Sequence, residues 1–224
     1  REDRDKIFDW SNRLIGFDDP EFQTSIEDAR QAAFEIWSYA NELAEVKRHE
    51  DGKDIISTLL KADLDGEQMS EMEFDAFFLM LSVAGNETTR NAISGGMLAL
   101  MENPDQYAKL KADPSLVNSA VEEMLRWVTP VNHFRRTATR DLSIRGQQIK
   151  ENEKCVLFYS SANRDEQYFE RPFEFDVTRN PNPHLTFGVG EHFCLGSSLA
   201  RLEMRVMFEQ ILKRFDNIEL NGPV

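Results

Sequence analysis

Apolar residues in the first 48 positions recur at three- and four-residue spacing. Ile7, Trp10, Leu14 and Phe17 form one stripe and Phe34, Trp37, Ala40 and Ala44 a second, which predicts two amphipathic helices. Gly16-Phe-Asp-Asp-Pro20 separates them. A short helix follows at about 55–61, and Asp63-Leu-Asp-Gly66 reads as a solvated turn. It is not a calcium loop, because its glycine comes three residues after the first aspartate. Ser70-Glu-Met-Glu73 is a capping box. It opens a long helix over 71–102, stopped by Asn103-Pro104. Residues 74–84 are apolar nearly all round, which predicts a buried helix. Six consecutive polar residues at 86–91 argue against a membrane span. A second capped helix covers 114–128, with Asp113 as N-cap and Pro114 in its first turn.

The pattern shortens after residue 134. Leu142-Ser-Ile144 and Val156-Leu-Phe158 read as short strands separated by Gly146 and polar turns. A loop-rich region continues to 186, a Gly-rich loop follows from 187, and a final helix runs from about Cys194 to Phe215. Its expected buried stripe is Leu195, Leu199, Leu202 and Val206. The fold class is mainly α with small β-sheet elements. No repeat or linker divides residues 1–224, which read as a single domain.

The 224 residues are 41% hydrophobic and carry a net charge of −14, enough apolar content for a core. The charge is uneven: 24 acidic and 12 basic side chains in residues 1–112, against 16 and 14 in residues 113–224. That excludes broad nucleic-acid binding, which needs a basic face, and leaves the second half able to present a locally basic surface. Two cysteines, Cys155 and Cys194, make neither a disulfide framework nor a four-cysteine zinc site, and the expected compartment is the cytoplasm. The chain opens on Arg1 with a charged run and reads as a piece of a longer or processed protein.

Three constellations carry candidate chemistry. In Phe187-Gly-Val-Gly-Glu-His-Phe-Cys-Leu-Gly196, glycines permit tight turns and close approach of a flat ligand. The loop delivers Cys194 to a helix start, where backbone amides favour a thiolate. Such a sulfur serves as a metal or haem ligand, as a nucleophile, or as an inert buried thiol. In Ala84-Gly-Asn-Glu-Thr-Thr89, Gly85 weakens the helix and Thr88 can bond back to the preceding turn. The group makes either a local opening with a proton-carrying path or a close helix contact with Glu87 in solvent. In Glu123-Met-Leu-Arg126 the charges are neighbours on a helix, which by itself is a surface ion pair.

Together and in this order, the three resemble the cytochrome P-450 family of haem-thiolate monooxygenases. Phe187, Gly190, Cys194 and Gly196 match its haem-binding signature. The stretch from Ala84 to Thr89 is similar to its oxygen-activation motif, and Glu123 with Arg126 to its Glu-x-x-Arg pair. The resemblance covers essentially the whole chain and implies the P-450 fold, incomplete, without the N-terminal helices and the C-terminal hairpin. Hence a chain expressed alone is expected to hold haem weakly.

The resemblance also implies roles. Cys194 is the proximal ligand of haem b, with Phe187 packed beside it. His192 and Arg136 (or the adjacent Arg135) bond the propionates. Glu87 and Thr88 deliver the protons that O–O cleavage consumes, with O2 as co-substrate, while Ala84 and Gly85 leave it room. Met80, Val83, Ala84, Val131 and Phe134 line an apolar substrate pocket. Arg179, rather than Arg171, joins Glu123 and Arg126. Electrons come ultimately from NAD(P)H through a redox partner, a ferredoxin docking near Arg201 and Arg205, although Glu203 and Glu209 also fit a plain amphipathic surface. Ser161-Ala-Asn-Arg-Asp165 and Arg179-Asn-Pro-Asn-Pro-His184 resemble soluble bacterial enzymes that hydroxylate terminal methyl groups of methyl-branched lipids, sterol side chains and terpenoids. The rival classes are a non-catalytic haem-thiolate module, which would not need Glu87 and Thr88, and a thiol hydrolase, for which His192 is a poorly placed base.

Overall fold

The computed structural model describes residues 3–16, 24–64, 66–216 and 218–222. Phe17 and the rest of the expected helix break through Pro20 lie outside the described residues, as does Asp65 of the expected turn. Two compact units divide the chain, Arg1–Glu87 and Thr88–Val224. No linker marks the boundary, which falls within one helix.

The first unit contains α1 (Arg4–Ile15), α2 (Ile26–Arg48), α3 (Ile55–Leu60), a two-stranded hairpin of β1 (Asp63–Leu64) and β2 (Glu67–Gln68), and the opening of α4 (Glu71–Glu102). Caps set the helix starts. Ser25 accepts from the Asp28 N–H at 3.0 Å, and Asp54 from Ser57 at 3.1 Å. In the capping box, Glu73 N–H donates to the Ser70 hydroxyl at 3.3 Å and Ser70 N–H to the Glu73 carboxylate at 2.9 Å. Gly66, at φ +89°, closes the hairpin turn and donates to Asp63 at 2.6 Å.

The core of this unit is Ile36, Ala40, Ala44, Phe74 and Phe78. Two expectations need correction. In the stripe expected on α2, Ala40 and Ala44 are buried but Phe34 and Trp37 are exposed, and Ala29, Ala32 and Ile36 complete the buried face. Small residues let α1 approach α2 closely, so the alanines win over the two aromatics. Nor is α4 buried all round over 74–84: Phe74 and Phe78 are buried, Met80 is 49% exposed, and Ala84 and Gly85 are exposed. The cluster covers one face of the helix only.

The second unit contains the rest of α4, then α5 (Pro104–Ala112), a 3-10 turn (Pro114–Leu116), α6 (Val117–Val128), four strands, α7 (Tyr159–Ala162) and α8 (Ser197–Arg214). Asp113 caps the 3-10 turn through Ser115 N–H at 3.0 Å. Helix α5 is absent from the sequence reading. Pro104, read there as a stop, is also a favoured first residue of a helix. Strands β3 (His133–Thr137) and β6 (Lys154–Phe158) pair antiparallel, with Phe134 opposite Leu157 and Arg136 opposite Cys155. Strands β4 (Leu142–Ile144) and β5 (Gln147–Ile149) pair around Arg145 and Gly146. Both turn residues lie at positive φ, +50° and +85°, as a type I′ hairpin turn requires.

The core of this unit joins Leu100 of α4, Leu110 of α5, Val121, Met124 and Leu125 of α6, Phe175 and Val177, and Met204, Phe208 and Leu212 of α8. The stripe expected on α8 is therefore wrong. Leu195, Leu199, Leu202 and Val206 are all exposed, while Ser197, Met204, Phe208 and Leu212 are buried. The helix carries two apolar stripes, and packing against α6 selects the second. The helix also begins at Ser197, three residues after Cys194.

Close packing between α4 and α6 depends on Gly95 and Gly96. A Cβ on Gly95 would lie 2.9 Å from both methyls of Val128, and one on Gly96 3.0 Å from Met124 Cγ. Val128 is β-branched and stiff, whereas Met124 has rotamers to spare. Gly95→Ala is expected to destabilise the protein by about 1–3 kcal/mol despite better helix propensity, and Gly96→Ala by less. Urea denaturation checks the order, and adding Val128→Ala to Gly95→Ala should recover much of the loss.

Candidate functional site

Helix α6 places Glu123 and Arg126 one turn apart, both fully buried. They pair bidentately, Arg126 Nε to Glu123 Oε2 at 2.8 Å and Nη2 to Oε1 at 2.7 Å. The remaining Arg126 N–H groups donate to the carbonyls of Asn163 (2.9 Å), Pro172 (2.8 Å) and Glu174 (3.2 Å), so all five donors are used. Glu123 accepts further from Asp176 N–H at 2.9 Å, Arg179 Nε at 3.0 Å and Asn182 Nδ2 at 3.0 Å. Arg171 reaches none of these carboxylate oxygens and pairs with Glu174 at 2.7 Å on the surface. The pair read alone as a surface contact thus anchors the irregular segment from 163 to 182.

That segment leads into the cysteine loop. Asn163 is fully buried. Its Nδ2 donates to Thr129 and Thr186 at 2.9 and 3.0 Å, and its Oδ1 accepts from Leu185 N–H at 2.7 Å. Gly188 and Gly190 lie at φ +72°, where a side chain is strained. They turn the chain so that Cys194 N–H donates to the Phe187 carbonyl at 2.9 Å. Cys194 is a free, exposed thiol. Val189, Phe193, Leu195 and Leu199 around it in sequence are also exposed, and a Cβ on Gly190 or Gly196 would meet nothing within 4 Å. The rings of Phe134 and Tyr159 lie 5.7 Å apart, and the Tyr159 hydroxyl would stand 3.3 Å from a Cβ on Gly188. This contact carries the β3–β6 hairpin to the loop. On β3, Phe134 and Arg136 share a face, with the guanidinium 5.6 Å from the ring centroid.

Phe187 is held by its neighbours. Its ring lies 6.3 Å from Phe193 and 6.0 Å from His184, with the Arg201 guanidinium 4.4 Å from its centroid. Arg201 pairs bidentately with Glu122 at 2.6 and 2.9 Å, and His184 Nε2 lies 2.9 Å from the same carboxylate. Burial opposes the Glu122 charge most strongly, but the hydrogen bonds from His184 and Arg201 outweigh it and hold its carboxyl at about 2. Arg201 is thereby tied down, and of the two cations expected to face an electron donor, Arg205 is the more exposed.

Gly85, Glu87 and Thr88 all lie within α4, where Asn86 Nδ2 is buried with no hydrogen-bond partner. Met80 and Phe134 are half-exposed, Val83 and Val131 partly buried, and His192 exposed at the end of a 3-10 turn (Gly190–His192). Among the described residues, no group of three or more His, Cys, Asp or Glu is placed to hold a metal ion. No helix among them is long and apolar enough to cross a membrane.

The family model for cytochrome P450 matches residues 3–222. The chain belongs to the cytochrome P450 family. It is 45% identical over 223 residues to a steroid C26-monooxygenase of Rhodococcus jostii, covering 99% of this chain and 46% of that protein. It is 45% identical over 220 residues to a methyl-branched lipid omega-hydroxylase of Mycobacterium tuberculosis, covering 97% and 51%. A Mycobacterium marinum cytochrome P450 solved in complex with pseudoionone superposes with a TM-score of 0.95 at 39% identity, over 100% of this chain and 55% of that one. The chain thus spans about half the length of the relatives it matches.

The residues of this P450 chain fit a haem. The exposed Cys194 thiol, the exposed apolar side chains around it in sequence and open space over Gly190 and Gly196 suit a flat apolar group that brings its own nitrogen ligands. Glu122, His184, Asn163, Thr129 and Thr186 were not singled out as site residues from the sequence. Two lie in segments quoted for the resemblance, but no local pattern marks a carboxylate whose partners are 62 and 79 positions away.

Glu123→Gln should cost about 3–5 kcal/mol, because it leaves Arg126 as an uncompensated buried charge. Arg171→Gln should stay within about 0.5 kcal/mol. Guanidinium denaturation separates the two. Because the Glu122 carboxyl is depressed in the folded state to about 2 from 4.5, it adds stability above the unfolded value that is lost as pH falls from about 4.5 towards 2. With solvent screening discounted, this amounts to about 1–2 kcal/mol. Acid titration of stability should show a correspondingly smaller loss in that window for Glu122→Gln.

Proposed function

We propose that this chain carries the haem-thiolate half of a monooxygenase that inserts one oxygen atom of O2 into an apolar substrate, with Cys194 as the iron ligand. The observation that carries this reading is the free, exposed Cys194 thiol, delivered by a loop turned at Gly188 and Gly190 and flanked by exposed apolar side chains. Haem b supplies the iron chemistry that activates O2, with a thiolate ligand favouring O–O cleavage. The Phe187 ring packs beside the loop and limits water at the sulfur. Arg136 and His192 bind the propionate carboxylates as charge-assisted donors. The Thr88 hydroxyl and the Glu87 carboxylate carry protons inward from solvent, and Ala84 and Gly85 keep space free beside them.

The family resemblance assigns substrate selection to apolar residues, Met80, Val83 and Ala84 on α4 and Val131 and Phe134 after α6. The half-exposure of Met80 and Phe134 supports this. The substrate class is a methyl-branched lipid, a sterol side chain or a terpenoid, hydroxylated at a terminal methyl. The names of the relatives from Rhodococcus and Mycobacterium support it. Electrons from NAD(P)H arrive through a ferredoxin-type protein in the cytoplasm, an acidic donor that docks near Arg201 and the more exposed Arg205 on α8.

The dithionite-reduced, haem-loaded protein under carbon monoxide should show a long-wavelength Soret band that Cys194→Ala abolishes. A band that survives the substitution sinks the assignment of Cys194. With redox partners and a sterol or branched lipid, Thr88→Ala should keep consuming NAD(P)H while product per NAD(P)H falls by roughly a hundredfold. Unchanged coupling would remove Thr88 from proton delivery. Thiolate ligation without product from any apolar substrate would point instead to a non-catalytic haem module.

A further inference from the structure

Glu122 has no task in the oxygen chemistry assigned to Cys194, yet its carboxylate holds two of the side chains that flank Phe187. It takes a bidentate pair from Arg201 at 2.6 and 2.9 Å and lies 2.9 Å from His184 Nε2. Arg201 stands 4.4 Å from the Phe187 centroid, and the His184 ring stands 6.0 Å from it. The Phe187 carbonyl in turn accepts from Cys194 N–H at 2.9 Å. One anion on α6 therefore reaches the peptide of the cysteine through two side chains and one ring. The Glu122 side chain is 30% exposed and that of Arg201 37%, so these charges are screened less than fully exposed ones.

We propose that Glu122 is a positioning residue of the cysteine loop: it holds Arg201 and His184 against the Phe187 ring and cancels the Arg201 charge at the foot of the loop that carries the thiolate ligand. The proposal rests on the haem-thiolate reading of Cys194. A planar guanidinium, fixed by a fork of two bonds and stacked on a ring, is a well-ordered charge. Left uncompensated in a partly buried site, it would favour the reduced form of an iron–thiolate centre held by the loop. An uncompensated carboxylate does the reverse.

The test is the ferric–ferrous midpoint of the haem-loaded protein. Glu122→Gln leaves Arg201 uncompensated, and the equilibrium shifts several-fold towards the ferrous form. Arg201→Gln leaves the carboxylate, and the shift has the opposite sign. Loss of packing alone would move both variants the same way. Glu122→Asp retains the charge and restores most of the midpoint. Glu203→Gln, the same charge change at an exposed position of α8, leaves the midpoint where it was. If Glu122→Gln does not fold, Arg201→Lys against Arg201→Gln decides: both lose the fork, and only the second loses the charge and shifts. Shifts of one sign, or none, in a protein whose carbon monoxide band shows thiolate ligation overturn the positioning role alone. Absence of that band in the unsubstituted protein overturns both readings.

Discussion

A buried ion pair must satisfy every donor and acceptor it carries, because water is not there to do so. Glu123 and Arg126 impose that constraint on the second unit. Five N–H groups of Arg126 need acceptors. Two are the oxygens of Glu123, and the other three acceptors are carbonyls at 163, 172 and 174. Carbonyls outside helix and strand, with both lone pairs free, are the readiest acceptors for a buried guanidinium. The long irregular segment before the cysteine loop supplies them. Arg179 closes the network by pairing with Glu123 and with the carbonyls of Glu170, Arg171 and Glu174.

The cysteine loop depends on the same helix through its next residue. Glu122 and Glu123 are adjacent in sequence and project about 100° apart around α6. One carboxylate organises the segment up to residue 182, and the other holds Arg201 of α8 and His184 at the foot of the loop. Asn163 joins the two systems, giving its carbonyl to Arg126 and its side chain to Thr129, Thr186 and Leu185. A rigid scaffold thus presents an exposed thiol, an arrangement suited to a ligand that must be held in one geometry.

Much of this was legible in the residues. The capping box at Ser70 and Glu73, the cap at Asp113 and the glycine turns of the cysteine loop involve groups a few positions apart, so their chemistry is written locally. The choice of Arg179 over Arg171 came from a resemblance; in the structure a side chain 56 positions from Glu123 meets it. Failures came where two patterns competed. On α2, Phe34 and Trp37 competed with Ala29, Ala32 and Ile36 for the face that also holds Ala40 and Ala44, α8 offered two apolar faces, and Pro104 could end one helix or begin the next.

By itself, the sequence determined most of the helical segments, though not α5, along with where the chain turns, which family it belongs to and which thiol is delivered by the loop. These depend on backbone preference and short-range bonding, which operate within about one turn of helix. Tertiary structure alone decided which apolar face of α2 and α8 is buried, and that Glu122 rather than solvent holds Arg201. It also decided that the Glu123–Arg126 pair lies in the core instead of on the surface. Burial and charge pairing depend on which neighbour arrives across tens of residues. Such contacts leave no periodic trace in a single sequence.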